Sequence, residues 1–208
     1  MTSGSIESRQ VRPSAVAGMF YPGRDDQLSH MVGQLLQRAM SAGQGRTAPV
    51  PQAPKALIVP HAGYIYSGSA AADAYCRLRP FARQYRGVVL LGPAHRVAFQ
   101  GVALPSVEAF ETPLGLVPLD VDVMSRLQHS PGVIISDQAH AQEHSLEVQL
   151  PFLQSVLDEF KLIPLLIGNA SPDRVRQLLQ QVWGDDDTLI VVSSDLSHYQ
   201  DYATAQAR

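Results

Sequence analysis

The chain has 208 residues, of which 45% are hydrophobic and 17% charged, as is ordinary for a globular protein with a full core. Its 16 Lys and Arg against 19 Asp and Glu give a net charge of −3, which offers no electrostatic basis for nucleic-acid binding. The lone cysteine, Cys76, excludes an internal disulfide, and no signal peptide or bilayer-length apolar run is recognisable. We therefore expect a cytoplasmic protein without a membrane partner.

Short apolar runs alternate with helical patterns along most of the chain. We expect residues 1–11 to be a disordered tail and residues 12–208 to form a single domain. Helical spacing predicts helices over 25–41, 69–78, 121–127, 151–160 and 172–183. Apolar runs predict strands over 56–59, 87–91, 102–104, 133–135, 162–167 and 188–192, several apolar at consecutive positions as in strands covered on both faces. The alternation predicts a layered α/β fold with a largely parallel or mixed sheet flanked by helices.

Three predicted strands end beside a histidine or an aspartate. His61 follows "ALIVP", His95 follows "VVLLGPA", and Asp195 and His198 follow "LIVVSS". Ligands of open α/β sheets bind beyond the carboxyl ends of the strands, so we expect these side chains to share one crevice, with Pro60, Gly92 and Pro93 turning the chain there. Imidazoles suit Fe, Cu or Zn, and a further histidine near its ordinary pKa suits proton transfer.

A second histidine-rich segment, "AHAQEHSLEVQLPF", raises a different possibility. It contains His140, Glu143 and His144 in the H-x-x-E-H order of inverzincin metallopeptidases. That function needs a continuous helix, but a predicted strand ends at Ser136, and Pro151 would kink any helix that spans the motif. We keep a zinc peptidase as a minor alternative, and favour a role for Glu143 and His144 in orienting ligands or substrate in the same crevice.

Six segments, in order and with sensible spacing, closely resemble the Memo family, whose bacterial and archaeal members are called AmmeMemoRadiSam system protein B. They are "RPSAVAGMFYPG", "VPHAGYIYSG", "LLGPAH", "TPLGLVPLD", "EHSLEVQLPFL" and "VVSSDLSHY". The resemblance extends from about Arg12 to Tyr202. It implies a fold like that of class III extradiol ring-cleaving dioxygenases, which bind non-haem Fe(II) through two histidines and a glutamate and use another histidine as acid/base.

The resemblance also implies roles for particular residues. His61 and His95 match the metal-ligating histidines, and His198 matches the acid/base, which Asp195 would orient. Memo-like proteins replace the glutamate ligand by a cysteine near the C-terminus, and Cys76 does not match its position. We therefore expect the third ligand and a last C-terminal part to be missing from this chain. A thiolate softens the site, so the implied metal is Fe or Cu, with Zn possible.

These observations favour a metal-dependent oxidoreductase of the extradiol type. Phe20, Tyr21 and Tyr64 would wall an aromatic pocket for substrate, although aromatic core packing explains them nearly as well. The alternative is a non-enzymatic adaptor that captures a peptide or a small molecule in the same crevice. The family name further suggests a functional link with a radical-SAM enzyme and an AMMECR1-type protein.

Overall fold

The computed structural model describes residues 10–43, 51–195 and 201–207, and these form an α/β protein with two sheets. The α-helices are α1 (Asp25–Gly43), α2 (Tyr64–Tyr75), α3 (Val121–Leu127), α4 (Asp137–Ala141), α5 (Leu150–Val156), α6 (Pro172–Val182) and α7 (Tyr202–Gln206). Two 3-10 helices span Cys76–Phe81 and Glu147–Gln149. In the part of the chain that the structure describes, none of these helices is long and apolar enough to cross a membrane.

The strands confirm the predicted α/β class. They are β1 (Val11–Arg12), β2 (Ala56–Val59), β3 (Gly87–Pro93), β4 (Val102–Leu104), β5 (Ala109–Thr112), β6 (Gly115–Pro118), β7 (Val133–Ile135), β8 (Lys161–Ile167) and β9 (Thr188–Ser193). Consecutive apolar residues in β3 are fully buried, among them Val88, Val89 and Leu90, as expected for a strand covered on both faces.

Six strands form the larger sheet, in the order β2-β9-β3-β8-β4-β7. The pairs β2–β9, β9–β3, β3–β8 and β4–β7 are parallel, while β8 and β4 are antiparallel. The sheet is therefore mixed, and mostly parallel. Because Val59 pairs with Ser193 and Leu91 pairs with Val192, the carboxyl ends of β2, β9 and β3 lie side by side at one edge.

A second, three-stranded sheet was not predicted from the sequence. β5 and β6 form an antiparallel hairpin, in which β6 begins at Gly115 with a φ of 113°, and β1 pairs with β5 in parallel. These strands have two to four residues each, and none of them contains a run of three apolar residues like those that predicted β4 and β7. Val11 thus belongs to a strand although we placed it in the N-terminal tail; residues 1–9 of that tail lie outside the described residues.

Arg12 joins this small sheet to the segment that follows α4. Its Nη1 donates to Oε2 of Glu147 at 2.7 Å, and the two side chains are almost completely buried. Its Nε donates to the carbonyl oxygen of His140 at 2.7 Å, and its Nη2 donates to that of Glu143 at 2.8 Å. A buried guanidinium is tolerated where its donors find partners of this kind.

Glu147 is the acceptor at the other end of this contact. Besides the Arg12 guanidinium, its carboxylate accepts the backbone N–H groups of Ala15 and Val16 at 2.8 and 2.9 Å. It also accepts the hydroxyl of Tyr21 at 2.6 Å. Four hydrogen bonds offset the cost of burying this charge, and they hold the N-terminal segment against the segment that carries Glu143.

Replacing Glu147 by Leu would leave the Arg12 charge and two backbone N–H groups buried without their acceptor. We expect the free energy of unfolding to fall by about 3–5 kcal/mol, measured by urea denaturation. Arg83→Ala is the matched control, because it removes an exposed ion pair to Asp158 and should cost less than about 1 kcal/mol. Equal losses in the two variants would contradict a special role for the buried pair.

Candidate metal centre

Two of the histidines predicted at strand ends meet at the carboxyl edge of the larger sheet. His61 follows β2, His95 follows β3, and their ring centroids lie 5.2 Å apart. Asp195 follows β9, which lies between those strands, and its Oδ1 accepts the backbone N–H of His61 at 2.9 Å. The fourth residue of this prediction, His198, lies outside the described residues. The strand-end rule therefore placed His61, His95 and Asp195 in one crevice.

A third histidine, His144, completes a cluster with them. Its ring centroid lies 4.6 Å from that of His95 and 5.7 Å from that of His61. One side-chain nitrogen from each of the three rings lies within 4.8 Å of the other two, as in a group able to hold a metal ion. From the sequence we expected His144 to orient ligands or substrate in the crevice and not to bind a metal.

The loop over residues 142–146 brings His144 to the sheet, and Gly92 makes this possible. Ser145 donates its hydroxyl to the carbonyl oxygen of Pro93 at 2.8 Å. A Cβ atom at Gly92 would lie 2.8 Å from Cδ2 of Leu146 and from Oγ of Ser145. Our expectation that Gly92 turns the chain is wrong, because it lies inside β3. The glycine is needed instead for the close approach of the loop.

Glu143 orients both the loop and His95. Its Oε2 accepts the backbone N–H of His95 at 2.6 Å, and its Oε1 accepts the N–H groups of His144 and Ser145 at 2.9 Å each. Burial opposes ionisation, but the hydrogen bonds from His95 and Ser145 outweigh it and lower the pKa of Glu143 to about 2. The ionised carboxylate accepts Nδ1–H of His95 at 2.9 Å, which leaves Nε2 as the nitrogen with a lone pair.

Two nitrogens of the cluster lie buried without a hydrogen-bond partner among the described residues: Nε2 of His61 and Nδ1 of His144. The latter lies 3.2 Å from Oε1 of Glu143 but makes no hydrogen bond to it. Burial lowers the pKa of His144 to about 4, although Glu143 opposes this, and burial likewise lowers the pKa of His61, although Asp195 opposes it. These imidazoles are thus neutral at pH 7, and a neutral imidazole has one nitrogen lone pair that can bind a metal ion.

The three aromatic residues predicted to wall a pocket are placed differently from one another. Phe20 is partly buried, and its ring centroid lies 4.7 Å from that of His144. Tyr21 and Tyr64 are buried, and their hydroxyls donate to Glu147 and to a backbone carbonyl oxygen. Packing in the core accounts for both tyrosines, so Phe20 alone of the three contacts the histidine cluster.

The H-x-x-E-H motif does not form a peptidase site. The helix α4 ends at Ala141, so His140 and His144 do not share a continuous helix. His140 is buried, and its Nε2 donates to the carbonyl oxygen of Ala103 at 3.0 Å, in β4. It is therefore a structural residue, and only His144 and Glu143 of the motif take part in the cluster.

A large open cavity of about 850 Å³ lies elsewhere in the molecule. Its lining includes Gly87, Lys161 and Thr188, the first residues of β3, β8 and β9, so it lies toward the amino ends of those strands. None of its lining residues belongs to the histidine cluster. Its size does not mark it as the functional site, because the histidine cluster lies toward the opposite edge of the sheet.

These features define an α/β protein with three clustered histidines at the carboxyl edge of a mixed sheet. The family model for Memo-like proteins matches residues 12–207. A MEMO1 family protein of Aquifex aeolicus is 38% identical over 194 residues, or 91% of this chain and 68% of the relative. A relative of the same name from Nitrosopumilus maritimus is 33% identical over 203 residues, or 95% of this chain and 72% of the relative. Another, from Ignicoccus hospitalis, is 38% identical over 199 residues, or 91% of this chain and 70% of the relative. The chain belongs to the Memo-like family, as its motifs indicated.

Gly92→Ala tests the close approach of the loop to β3. The added methyl group would collide with Leu146 and Ser145, and we expect a loss of about 1–3 kcal/mol in the free energy of unfolding, measured with urea. Gly33→Ala in α1 is the matched control: no heavy atom lies within 4 Å of the new Cβ among the described residues, and helix propensity predicts a gain of about 0.5–1 kcal/mol. A fully stable Gly92→Ala protein would disprove the packing argument.

His140 should make stability depend on pH. Burial lowers its pKa to about 4, although its hydrogen bond to the Ala103 backbone opposes this, whereas a free histidine titrates near 6.5. The unfolded chain therefore binds more protons between these values, and stability falls as pH decreases from 6.5 to 4, on the order of 3 kcal/mol from this group. Urea unfolding across this range should show a shallower slope for His140→Gln than for the wild type; parallel curves would contradict the assignment.

Proposed function

We propose that His61, His95 and His144 hold a transition-metal ion, and that the protein uses it in redox chemistry related to that of non-haem iron extradiol dioxygenases. The observation that supports this most strongly is the cluster itself: three imidazole nitrogens within 4.8 Å of one another. Two buried nitrogens there have no hydrogen-bond partner among the described residues. Imidazole ligands suit Fe, Cu and Zn, and the resemblance to dioxygenases favours Fe or Cu.

His144 is the third ligand in this proposal. The resemblance to Memo-like proteins implied a cysteine as the third ligand, and Cys76 does not match its position. Three protein ligands with a position left for another group are typical of catalytic metal sites. Glu143 would keep His95 oriented through Nδ1 and would place a negative charge beside the ion, as carboxylates behind metal-bound histidines do.

The residues around the ion would contact the substrate, position a ligand and transfer a proton. The bound metal would supply Lewis acidity and one-electron chemistry. Phe20, whose ring lies against His144, would contact a bound small molecule. Asp195 would keep His61 in place through the backbone N–H, and His198 would give or take a proton, as the resemblance implies. We propose that these reactions take place in the cytoplasm.

A second candidate function, an adaptor that binds a peptide, is supported by apolar side chains near the crevice. Met19 precedes Phe20 and is 73% exposed, and Tyr66 is 81% exposed. Tyr66 lies close to Gly63, which in turn packs against Phe20. Exposed apolar residues grouped in this way occur at protein-binding sites. A radical-SAM enzyme or an AMMECR1-type protein would be the partner that the family name suggests.

Metal content separates these proposals. The protein is freed of metal with a chelator, titrated with Fe²⁺, Cu²⁺ and Zn²⁺, and analysed for bound metal. We expect one ion per chain, and a loss of affinity of roughly 100-fold or more in His61→Ala, His95→Ala and His144→Ala, because even an outer-shell partner contributes about 10–100-fold. His30→Ala and His129→Ala are the controls, because both residues are exposed, and they should bind metal normally.

The outcomes differ between the proposals. Metal retained by His144→Ala but lost by His61→Ala would remove His144 from the ligand set. A wild-type protein that binds none of the three ions would overturn the metal centre, and peptide binding by that metal-free protein would support the adaptor. Oxygen consumption that requires the bound metal would establish the redox function.

A further inference from the structure

A buried hydrogen-bond network contacts Nδ1 of His61. Oγ of Ser193, the last residue of β9, lies 3.0 Å from Nδ1 of His61. The same oxygen lies 2.6 Å from the carbonyl oxygen of Ser145 and 2.9 Å from Nε2 of Gln149. His61, Ser193 and Gln149 are each 2% exposed or less, so these contacts are shielded from bulk solvent.

The orientation of the Gln149 amide follows from its other partners. Its nitrogen lies 2.9 Å from the carbonyl oxygen of Pro60, which accepts hydrogen bonds and cannot donate one. Its oxygen accepts the hydroxyl of Tyr75 at 2.9 Å. A flipped amide would place two oxygens against each other at Pro60. The group that faces Ser193 is therefore the NH₂ group of Gln149, and it donates.

The direction of every hydrogen bond to Ser193 is then determined. A hydroxyl has one hydrogen to donate and two lone pairs that accept. The carbonyl oxygen of Ser145 requires the hydrogen, and the Gln149 amide occupies one lone pair. The second lone pair of the Ser193 hydroxyl is left to face Nδ1 of His61. Because a lone pair can only accept, Nδ1 of His61 must be the donor.

We propose that Ser193 and Gln149 are positioning residues that fix His61 in the tautomer with its proton on Nδ1 and its lone pair on Nε2. The lone pair then lies on the buried nitrogen that has no hydrogen-bond partner among the described residues. In the opposite tautomer Nε2–H would face Asp195, whose Oδ2 lies 3.6 Å away, too far for a good hydrogen bond. The tautomer belongs to the metal-free protein; only its effect on metal affinity rests on the proposed function.

Nitrogen NMR of the metal-free protein tests this assignment directly. Long-range ¹H–¹⁵N spectra of ¹⁵N-histidine-labelled protein, recorded well above the ordinary imidazole pKa, distinguish a protonated ring nitrogen from one with a lone pair. The signals of His61 are identified by their loss in His61→Gln. We expect protonated Nδ1 and unprotonated Nε2 in the wild type. The opposite pattern overturns the proposal, whatever the behaviour of any other variant or of metal.

Ser193→Ala removes the acceptor, and the proton of His61 should then distribute between the two nitrogens. Affinity for Zn²⁺ should fall by roughly 10–100-fold, the usual effect of losing an outer-shell partner, and Ser193→Thr, which keeps the hydroxyl, should restore the wild-type spectrum. Ser155→Ala is the matched control, because its hydroxyl donates to Pro151 within α5. An unchanged His61 tautomer in folded Ser193→Ala would show that the hydroxyl does not position the ring.

Discussion

Two buried carboxylates four residues apart, Glu143 and Glu147, hold the carboxyl edge of the sheet together. Glu147 accepts four hydrogen bonds that come from the N-terminal segment, including those of Arg12. Glu143 accepts four that come from His95 and from the loop beside it. A buried carboxylate is stable only while such bonds persist. The two residues therefore fix the segment that carries them, residues 143–147, against the N-terminal segment on one side and against His95 at the end of β3 on the other.

This constraint orders the histidine cluster through contacts within the protein. His144 is carried by the loop that Glu143 orders, and His95 is held by the same carboxylate through both its backbone and its ring. The ends of β2 and β9 supply His61 and its partner Ser193. A site whose ligands are oriented in advance loses less conformational entropy on binding. In the proposed metal centre, the energetic cost of burying imidazoles and carboxylates would be met during folding.

The sequence predicted the parts of this arrangement that follow from regular structure. Apolar runs located all six strands of the larger sheet, and the strand-end rule brought His61, His95 and Asp195 together, because the carboxyl ends of parallel neighbours meet at one edge. The rule could not find His144, since a loop has no period that fixes where its side chains lie. Nor could it find the partnership of Arg12 with Glu147, which are 135 residues apart and are joined only by tertiary packing.

The H-x-x-E-H motif shows why spacing along the chain is insufficient without the backbone conformation. On a continuous helix, histidines four positions apart share a face, which is the premise of the peptidase interpretation. Here α4 ends at Ala141, so the backbone beyond it changes direction. His140 contacts β4 through Ala103, whereas His144 joins the cluster and Glu143 turns its carboxylate toward His95. The same five letters thus give one structural histidine, one orienting carboxylate and one candidate ligand, because the end of a helix separates them.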